Sequence, residues 1–311
     1  MIKKLSFLII SSVLALSVLT GCTNSNKNSD SVSTETIKVT DSKGEVEIPA
    51  NPQRIVDLSG NSDILKILGY DVVGTANSDA YDYTKLPSYL EEELSDAKIV
   101  GYSMQDTMDI EGILNLNPDL IIISNVQEKM YEQLKDIAPT VMIQLEQIDW
   151  TEDLKLIAKI FGKEDIAEKW LNDYTKEAST AGEKIIEKNG KDTTYLPILA
   201  SGGQIYVFDA AGIGSVMFDD MKLSKPSNLP EQDSISLPVV SYEGLAEIDA
   251  DYLVLVGTDD DIASLKENSI YQNMRAVKNG NVIELPSSPY FNMGYSCIGK
   301  KKFLEESADI F

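Results

Sequence analysis

The apolar positions of this chain keep two rhythms, and the change between them divides it. Across residues 149–189 they recur every three or four places: after Gly162 come Ile166, Trp170, Leu171, Tyr174 and Ala178, one face of a helix. Gly162 interrupts the run, because glycine takes up helix-end dihedrals without steric cost, and residues 163–165 supply a fresh start. A short helix followed by a long one is predicted. On both sides of it, helix and strand patterns alternate. Residues 54–58, 72–74 and 140–145 read as strands, 126–138 as a helix, and 109–124 as a short helix, an Asn-Pro turn and a continuous apolar strand of the kind covered on both faces. Ile37, Val39, Val46 and Ile48 alternate about Ser42-Lys43-Gly44, a small hairpin. Past the long helix, strands 195–200 and 204–209 flank a Ser-Gly-Gly turn, 214–221 reads as helical, a polar loop covers 222–238, and an amphipathic helix occupies 295–311.

One pattern occurs twice. Residues 241–256 laid over 109–124 place Glu243 on Glu111, Gly244 on Gly112 and Asp251 on Asp119, with apolar residues matching along the strand. Residues 131–143 and 271–283 then each give a helix and a strand. The prediction is α/β: an N-terminal lobe at 36–148, a connecting helix at 149–189 acting as a strut, a C-terminal lobe at 190–311, and a ligand cleft between the lobes beyond the strand ends.

The N-terminus follows another logic. Lys3 and Lys4 precede an apolar run over 5–19, too short for a membrane span but suited to a secretory signal. It ends in Leu19-Thr20-Gly21-Cys22, which resembles the bacterial lipobox, so residues 1–21 are expected to be a lipoprotein signal peptide and Cys22 the lipidated residue. Residues 22–35 are polar and aperiodic, a flexible tether. The second cysteine, Cys297, then has no intrachain partner.

Charge narrows the function. With 50 acidic against 27 basic residues the formal charge is −23, and loss of Lys3 and Lys4 takes it to −25, which argues against nucleic-acid partners. The chain has no histidine, which removes Ser-His and Cys-His nucleophiles and histidine metal sites. It has no phosphate loop, and Gly212-Ile213-Gly214 lacks the rest of a dinucleotide fingerprint. No carboxylate pair is singled out by apolar surroundings, and Asp259-Asp260-Asp261 reads as a solvated turn. Glu111 and Glu243 stand at helix starts, where the dipole favours a carboxylate, and the repeat makes them one negative charge per lobe on the same rim. Tyr102, Met104, Asn125, Tyr290, Phe291 and Met293 follow predicted strands and Tyr206 stands beside the Ser-Gly-Gly turn, next to strand ends where binding residues concentrate.

Taken in order, the lipobox, Asn51-Pro52-Gln53-Arg54-Ile55-Val56, the turn and helix at 59–69, Asn117-Pro118-Asp119-Leu120-Ile121-Ile122, the long helix, and Glu243 with Asp249-Ala250-Asp251 resemble the substrate-binding lipoproteins of iron-siderophore, haem and cobalamin ABC importers. The resemblance implies two Rossmann-like lobes joined by a rigid helix, limited hinge motion, and no catalytic residue, metal site or resident cofactor. It puts the family's transporter-docking glutamates on Glu111 and Glu243, facing arginines of a permease that works with an ATPase. Its ligand loops fall on Ser59, Gly60 and Asn61, on Tyr102, Met104 and Gln105, on Asn125, on Gln204 and Tyr206, and on Tyr290, Phe291 and Met293. Family members that take triply anionic ferric catecholates carry cationic residues in the cleft, and the matching loops here have none. The implied protein is an extracytoplasmic, lipid-anchored monomer that captures a ferric siderophore, a hydroxamate before a catecholate. Cobalamin or haem is the rival ligand, and a surface-anchored carboxylate hydrolase is the alternative of a different class.

Overall fold

The computed structural model describes residues 35–145 and 148–311. The expected signal peptide, Cys22 and all of the tether before Glu35 lie outside the described residues.

The chain first forms the antiparallel hairpin β1 (Thr36–Asp41) and β2 (Gly44–Pro49). The N-terminal half then runs β3 (Ile55–Asp57), α1 (Ser62–Ile67), β4 (Val72–Thr75), β5 (Lys98–Ile99), α2 (Ile110–Asn115), β6 (Leu120–Ser124), α3 (Tyr131–Lys135) and β7 (Thr140–Ile143). Its sheet has the order β5-β4-β3-β6-β7 and is parallel throughout. Every residue of β6 is buried, as its unbroken apolar run requires.

Two helices follow, α4 (Trp150–Ile160) and α5 (Glu164–Asn189), with Gly162 between them at φ +61°. The C-terminal half runs β8 (Tyr195–Ser201), β9 (Gln204–Val207), α6 (Ile213–Ser215) leading into a π-helical turn at Val216–Asp220, β10 (Val239–Val240), α7 (Tyr242–Glu247), β11 (Tyr252–Gly257), α8 (Asp259–Lys266), α9 (Ser269–Asn273), α10 (Arg275–Lys278), β12 (Val282–Pro286), α11 (Ser287–Met293) and α12 (Cys297–Ile310). The second sheet has the order β10-β9-β8-β11-β12. There β8, β11 and β12 are parallel, and β9 alone is reversed, antiparallel to both β8 and β10, because the tight Gly202-Gly203 turn folds it straight back.

The repeat extends to hydrogen bonds. Asp109 caps α2 by accepting from Gly112 N at 2.8 Å, and Ser241 caps α7 by accepting from Gly244 N at 3.1 Å. Asp119, just before β6, accepts from Gln53 N and Arg54 N at 2.7 and 2.9 Å, fixing the start of β3. Asp251, just before β11, accepts from Thr194 N at 2.9 Å and fixes the start of β8.

Helix α5 serves two cores. Ala167, Trp170 and Leu171 pack with Leu154 and Ile157 into the first half, while Tyr174, Ala178 and Ile185 pack with Phe208, Phe218 and Phe303 into the second. A helix buried in both halves over one face holds them at fixed separation. Helix α12 also crosses: Cys297 and Ile298 join the first core, Phe303 and Leu304 the second. The first turn of α12 thus packs away from the lobe that a boundary at residue 190 would give it.

Three local expectations change. Residues 259–261 form the first turn of α8, capped by Thr258, whose hydroxyl accepts from Asp261 N at 3.1 Å; the helix dipole favours their carboxylates there. The predicted helix at 126–138 is a 3-10 turn at Asn125–Met130 followed by α3, its start set by a capping box between Ser124 and Gln127. Residues Tyr290, Phe291 and Met293, read as loop, belong to α11.

Candidate ligand cleft

A cleft of roughly 700 Å³ opens between the two sheets, walled by both halves and floored by α4, α12 and the segment around α6. One wall is built from Asp57. This fully buried carboxylate at the end of β3 accepts from Ser59 Oγ at 2.6 Å, Asn61 N at 2.9 Å and Ser62 Oγ at 2.7 Å, so it shapes the Ser59, Gly60, Asn61 turn. Burial pushes its pKa above the ordinary value, against those hydrogen bonds. Gly60 sits at φ +86°, where a Cβ would come within 2.7 Å of Ser103 Oγ, so only glycine fits. Asn77 locks the turn from the other side, donating to Gly60 O at 2.7 Å and accepting from Ser62 N at 3.0 Å. The result is a wall of hydroxyl and amide groups in fixed positions.

Aromatic residues line the mouth and the far wall. Tyr102 stacks on Tyr83 at 4.5 Å between ring centroids, and Met104 beside it is half exposed at 50%. Phe291 meets Tyr81 edge-on at 5.9 Å across the cleft and tilts against Tyr295 at 5.5 Å. Tyr206 donates to Gln204 Oε1 at 2.6 Å. Burial raises the phenol of Tyr102 to about 12, so it is neutral near pH 7, as an uncharged wall requires.

Lys300 is the residue the sequence most misleads about. It lies on α12 and lines the floor with 1% of its surface exposed, its Nζ donating to Ser215 Oγ at 2.6 Å and standing 5.3 Å over the Trp150 ring. Burial lowers its pKa, and Asp220 opposes that shift. Asp220 accepts from Tyr174 Oη at 2.7 Å, and its own pKa is raised by burial. Among the described residues the cleft lining therefore has one cation, set deep and already engaged, where the matching loops supply none.

The structure brings Ser59, Gly60, Asn61, Tyr102, Met104, Tyr206 and Phe291 together on this cleft. It places Gln105, Asn125, Gln204, Tyr290 and Met293 off its lining. Gln105 and Asn125 are exposed beside Gln127, whose amide holds Ser103 O and Gln105 O at 2.7 and 2.9 Å. Tyr290 turns to α12, donating to Glu306 at 2.9 Å, and Met293 is buried in the second core because α11 is helical and presents alternate faces. Sequence reasoning passed over Asn77, Tyr81, Trp150, Ile235, Leu237, Tyr295 and Lys300, all of which line the cleft. Only Tyr81, in a tyrosine-bearing loop, carried a local hint. Glu111 and Glu243 are exposed in the first turns of α2 and α7, and among the described residues neither forms an ion pair.

Residues 60–289 match the family model described as periplasmic binding protein. The chain belongs to the periplasmic binding protein family. Among relatives it is 33% identical to the iron(3+)-hydroxamate-binding protein FhuD of Bacillus subtilis, over 95% of each chain. It is 30% identical to the probable siderophore-binding lipoprotein YfiY of the same organism, over 91% of this chain and 90% of that one. A solved structure from Bacillus subtilis, described as a FhuD fold-family periplasmic binding protein component of a Fep/Fec-like ferrichrome ABC transporter, superposes with a TM-score of 0.69 at 30% identity, covering 86% of this chain and 98% of its own. A periplasmic binding protein is a non-enzymatic, substrate-binding component of ABC transport, which implies a permease partner. The two-lobed α/β architecture is that of the FhuD fold.

Proposed function

We propose that this periplasmic binding protein captures a ferric siderophore, a hydroxamate chelate first of all, and delivers it to its permease. The observation that carries this reading is the chemistry of the cleft: hydroxyl, amide and aromatic walls in which, among the described residues, Lys300 is the one cation, buried and engaged, and the carboxyls of Asp63 and Asp153 offer an anionic chelate nothing. Such walls solvate a neutral or weakly charged chelate, while a triply anionic one would be desolvated without the cations to compensate it. The hydroxamate-binding relative points the same way.

The protein acts as an extracytoplasmic monomer anchored through lipid on Cys22, a reading supported by the Leu19-Thr20-Gly21-Cys22 sequence and by the lipoprotein among its relatives. Ligand is gripped between the lobes at 36–148 and 190–311, by Ser59, Gly60, Asn61, Tyr102, Met104, Tyr206 and Phe291. Glu111 and Glu243 dock onto permease arginines, supported by their exposure and their equivalence in the repeat.

Native mass spectrometry of the protein against ferric hydroxamates, ferric catecholates, haem and cobalamin tests the ligand. A one-to-one complex with a ferric hydroxamate is expected. Binding to a catecholate alone would overturn the cleft argument, and binding to cobalamin or haem alone would keep the receptor and replace its ligand.

A further inference from the structure

The polar loop 222–238 is long for a connection inside a compact unit, and loops of that length without secondary structure are commonly functional. Its conformation is fixed from within by one side chain. Gln232, 7% exposed, accepts from Asp209 N at 3.2 Å and Ala211 N at 3.1 Å through Oε1. Through Nε2 it donates to Ser234 O at 3.0 Å, with Ile235 O and Ser236 O at 3.5 Å. Lys225 adds an ion pair to Asp209 at 2.7 Å, and Pro238 O accepts from Val207 N at 2.9 Å. What the clamp delivers is a stretch of cleft wall: Ile235, Ser236 and Leu237 line the cavity, beside Tyr206 and Leu199. Ile235 and Leu237 are half-buried, and Leu237 packs against the second core.

The stretch of wall that this loop supplies is thus mainly aliphatic, set in a lining where both lobes mix hydroxyl, amide and aromatic groups. We propose that loop 222–238 sets ligand specificity: Ile235 and Leu237 select ferric chelates with an aliphatic side, and Gln232 is the positioning residue that holds them. This rests on the siderophore reading and deepens it. A glutamine is needed because the site asks one side chain both to accept from two N–H groups and to donate to carbonyls. Glutamate keeps the acceptor but sets a carboxylate against carbonyl oxygens, so it releases the loop while leaving the 209–211 turn held.

The test compares two probes on the full chain, ferrioxamine B, with pentamethylene spacers, and ferrichrome, with a polar peptide ring. In Ile235→Ser/Leu237→Ser, affinity for ferrioxamine B should fall at least about tenfold and for ferrichrome less than about threefold, because the long pentamethylene spacers of the first present more methylene surface to this wall than the short ornithine arms of the second. Gln232→Glu should change the ratio of the two affinities in the same direction without touching the chelate. General destabilisation would lower both affinities alike, so the ratio isolates positioning. Ile235→Ser alone leaves the Gln232 clamp intact and guards against a variant that fails to fold. Equal losses for both chelates, or an unchanged ratio in Gln232→Glu, would overturn the proposal. Failure of the wild type to bind either chelate would instead overturn the siderophore reading beneath it.

Discussion

Asp63 in the first turn of α1 accepts a hydrogen bond from Ser296 Oγ at 2.7 Å, joining two residues 233 positions apart. Its carboxylate also accepts from Ile298 N at 3.3 Å, and at the other end of α11 Ser288 donates to Asp79. The helix that carries Phe291 into the cleft is therefore tied at both ends to the opposite lobe. With α5 and α12 also buried in both cores, a wide hinge motion would have to break these contacts, so small adjustments of the walls are the expected response to ligand.

Asp63→Ala should lower stability by about 1–3 kcal/mol, since it leaves the Ser296 hydroxyl and the Ile298 N–H without their acceptor. Its pH dependence has a definite sign. Burial raises the Asp63 pKa. Its contribution is therefore full below the unfolded value of ~3.9 and is lost as pH rises through the higher folded value. The stability gap between wild type and Asp63→Asn should shrink between about pH 4 and pH 7. Urea midpoints at the two pH values measure it, and a gap that grows would refute the assignment.

Asp251 should behave in the opposite sense. The hydrogen bond from Thr194 N is the main cause that lowers its pKa, so its contribution is present above the unfolded value and lost as pH falls through the folded one. The gap to Asp251→Asn should open as pH rises from about 2 to 5. Its counterpart Asp119→Ala should cost about 1–2 kcal/mol, and the double alanine variant should lose close to the sum because the clamps sit in different sheets. Strong non-additivity in chemical denaturation would mean that the two clamps are coupled through the elements the lobes share, α5 and α12.

Gly182 on α5 faces the backbone of the π-helical segment so closely that a Cβ would come within 1.9 Å of Met221 O. Gly182→Ala should destabilise by about 1–3 kcal/mol despite alanine's helix preference of ~1 kcal/mol, because overpacking against backbone outweighs it. Differential scanning calorimetry reads this directly. A stabilised variant would show that α5 does not pack as described.

Glu111→Ala with Glu243→Ala should leave stability within about 0.5 kcal/mol and chelate affinity unchanged, since both side chains are exposed and far from any core. Uptake of radiolabelled ferric chelate by cells should fall at least about tenfold if these residues orient docking. Loss of chelate affinity with uptake intact would move them from the docking surface to the ligand site.

The alternation of helix and strand, the strut and the repeat were legible because each rests on local periodicity. A helix buried along one face needs apolar residues every three or four positions, and a strand buried on both faces needs them continuously. Even the match of Asp251 to Asp119 could be read from spacing, and both clamp a neighbouring strand. The short run at 287–293 has no such periodicity, so α11 was invisible, and with it the turning of Tyr290 and Met293 away from the cleft.

The sequence by itself thus determined the fold class, the two α/β halves, the helix between them and the polar turn at Ser59, Gly60 and Asn61. Tertiary structure alone decided which side chains share the cleft. In the run Lys300-Lys301-Lys302 the three residues look alike, a solvated basic face. Successive helix positions point about 100° apart, so packing of α12 across both cores turns Lys300 onto the cleft floor and leaves Lys302 exposed. Composition counts charges; only the packed arrangement of distant segments says which of them a ligand would meet.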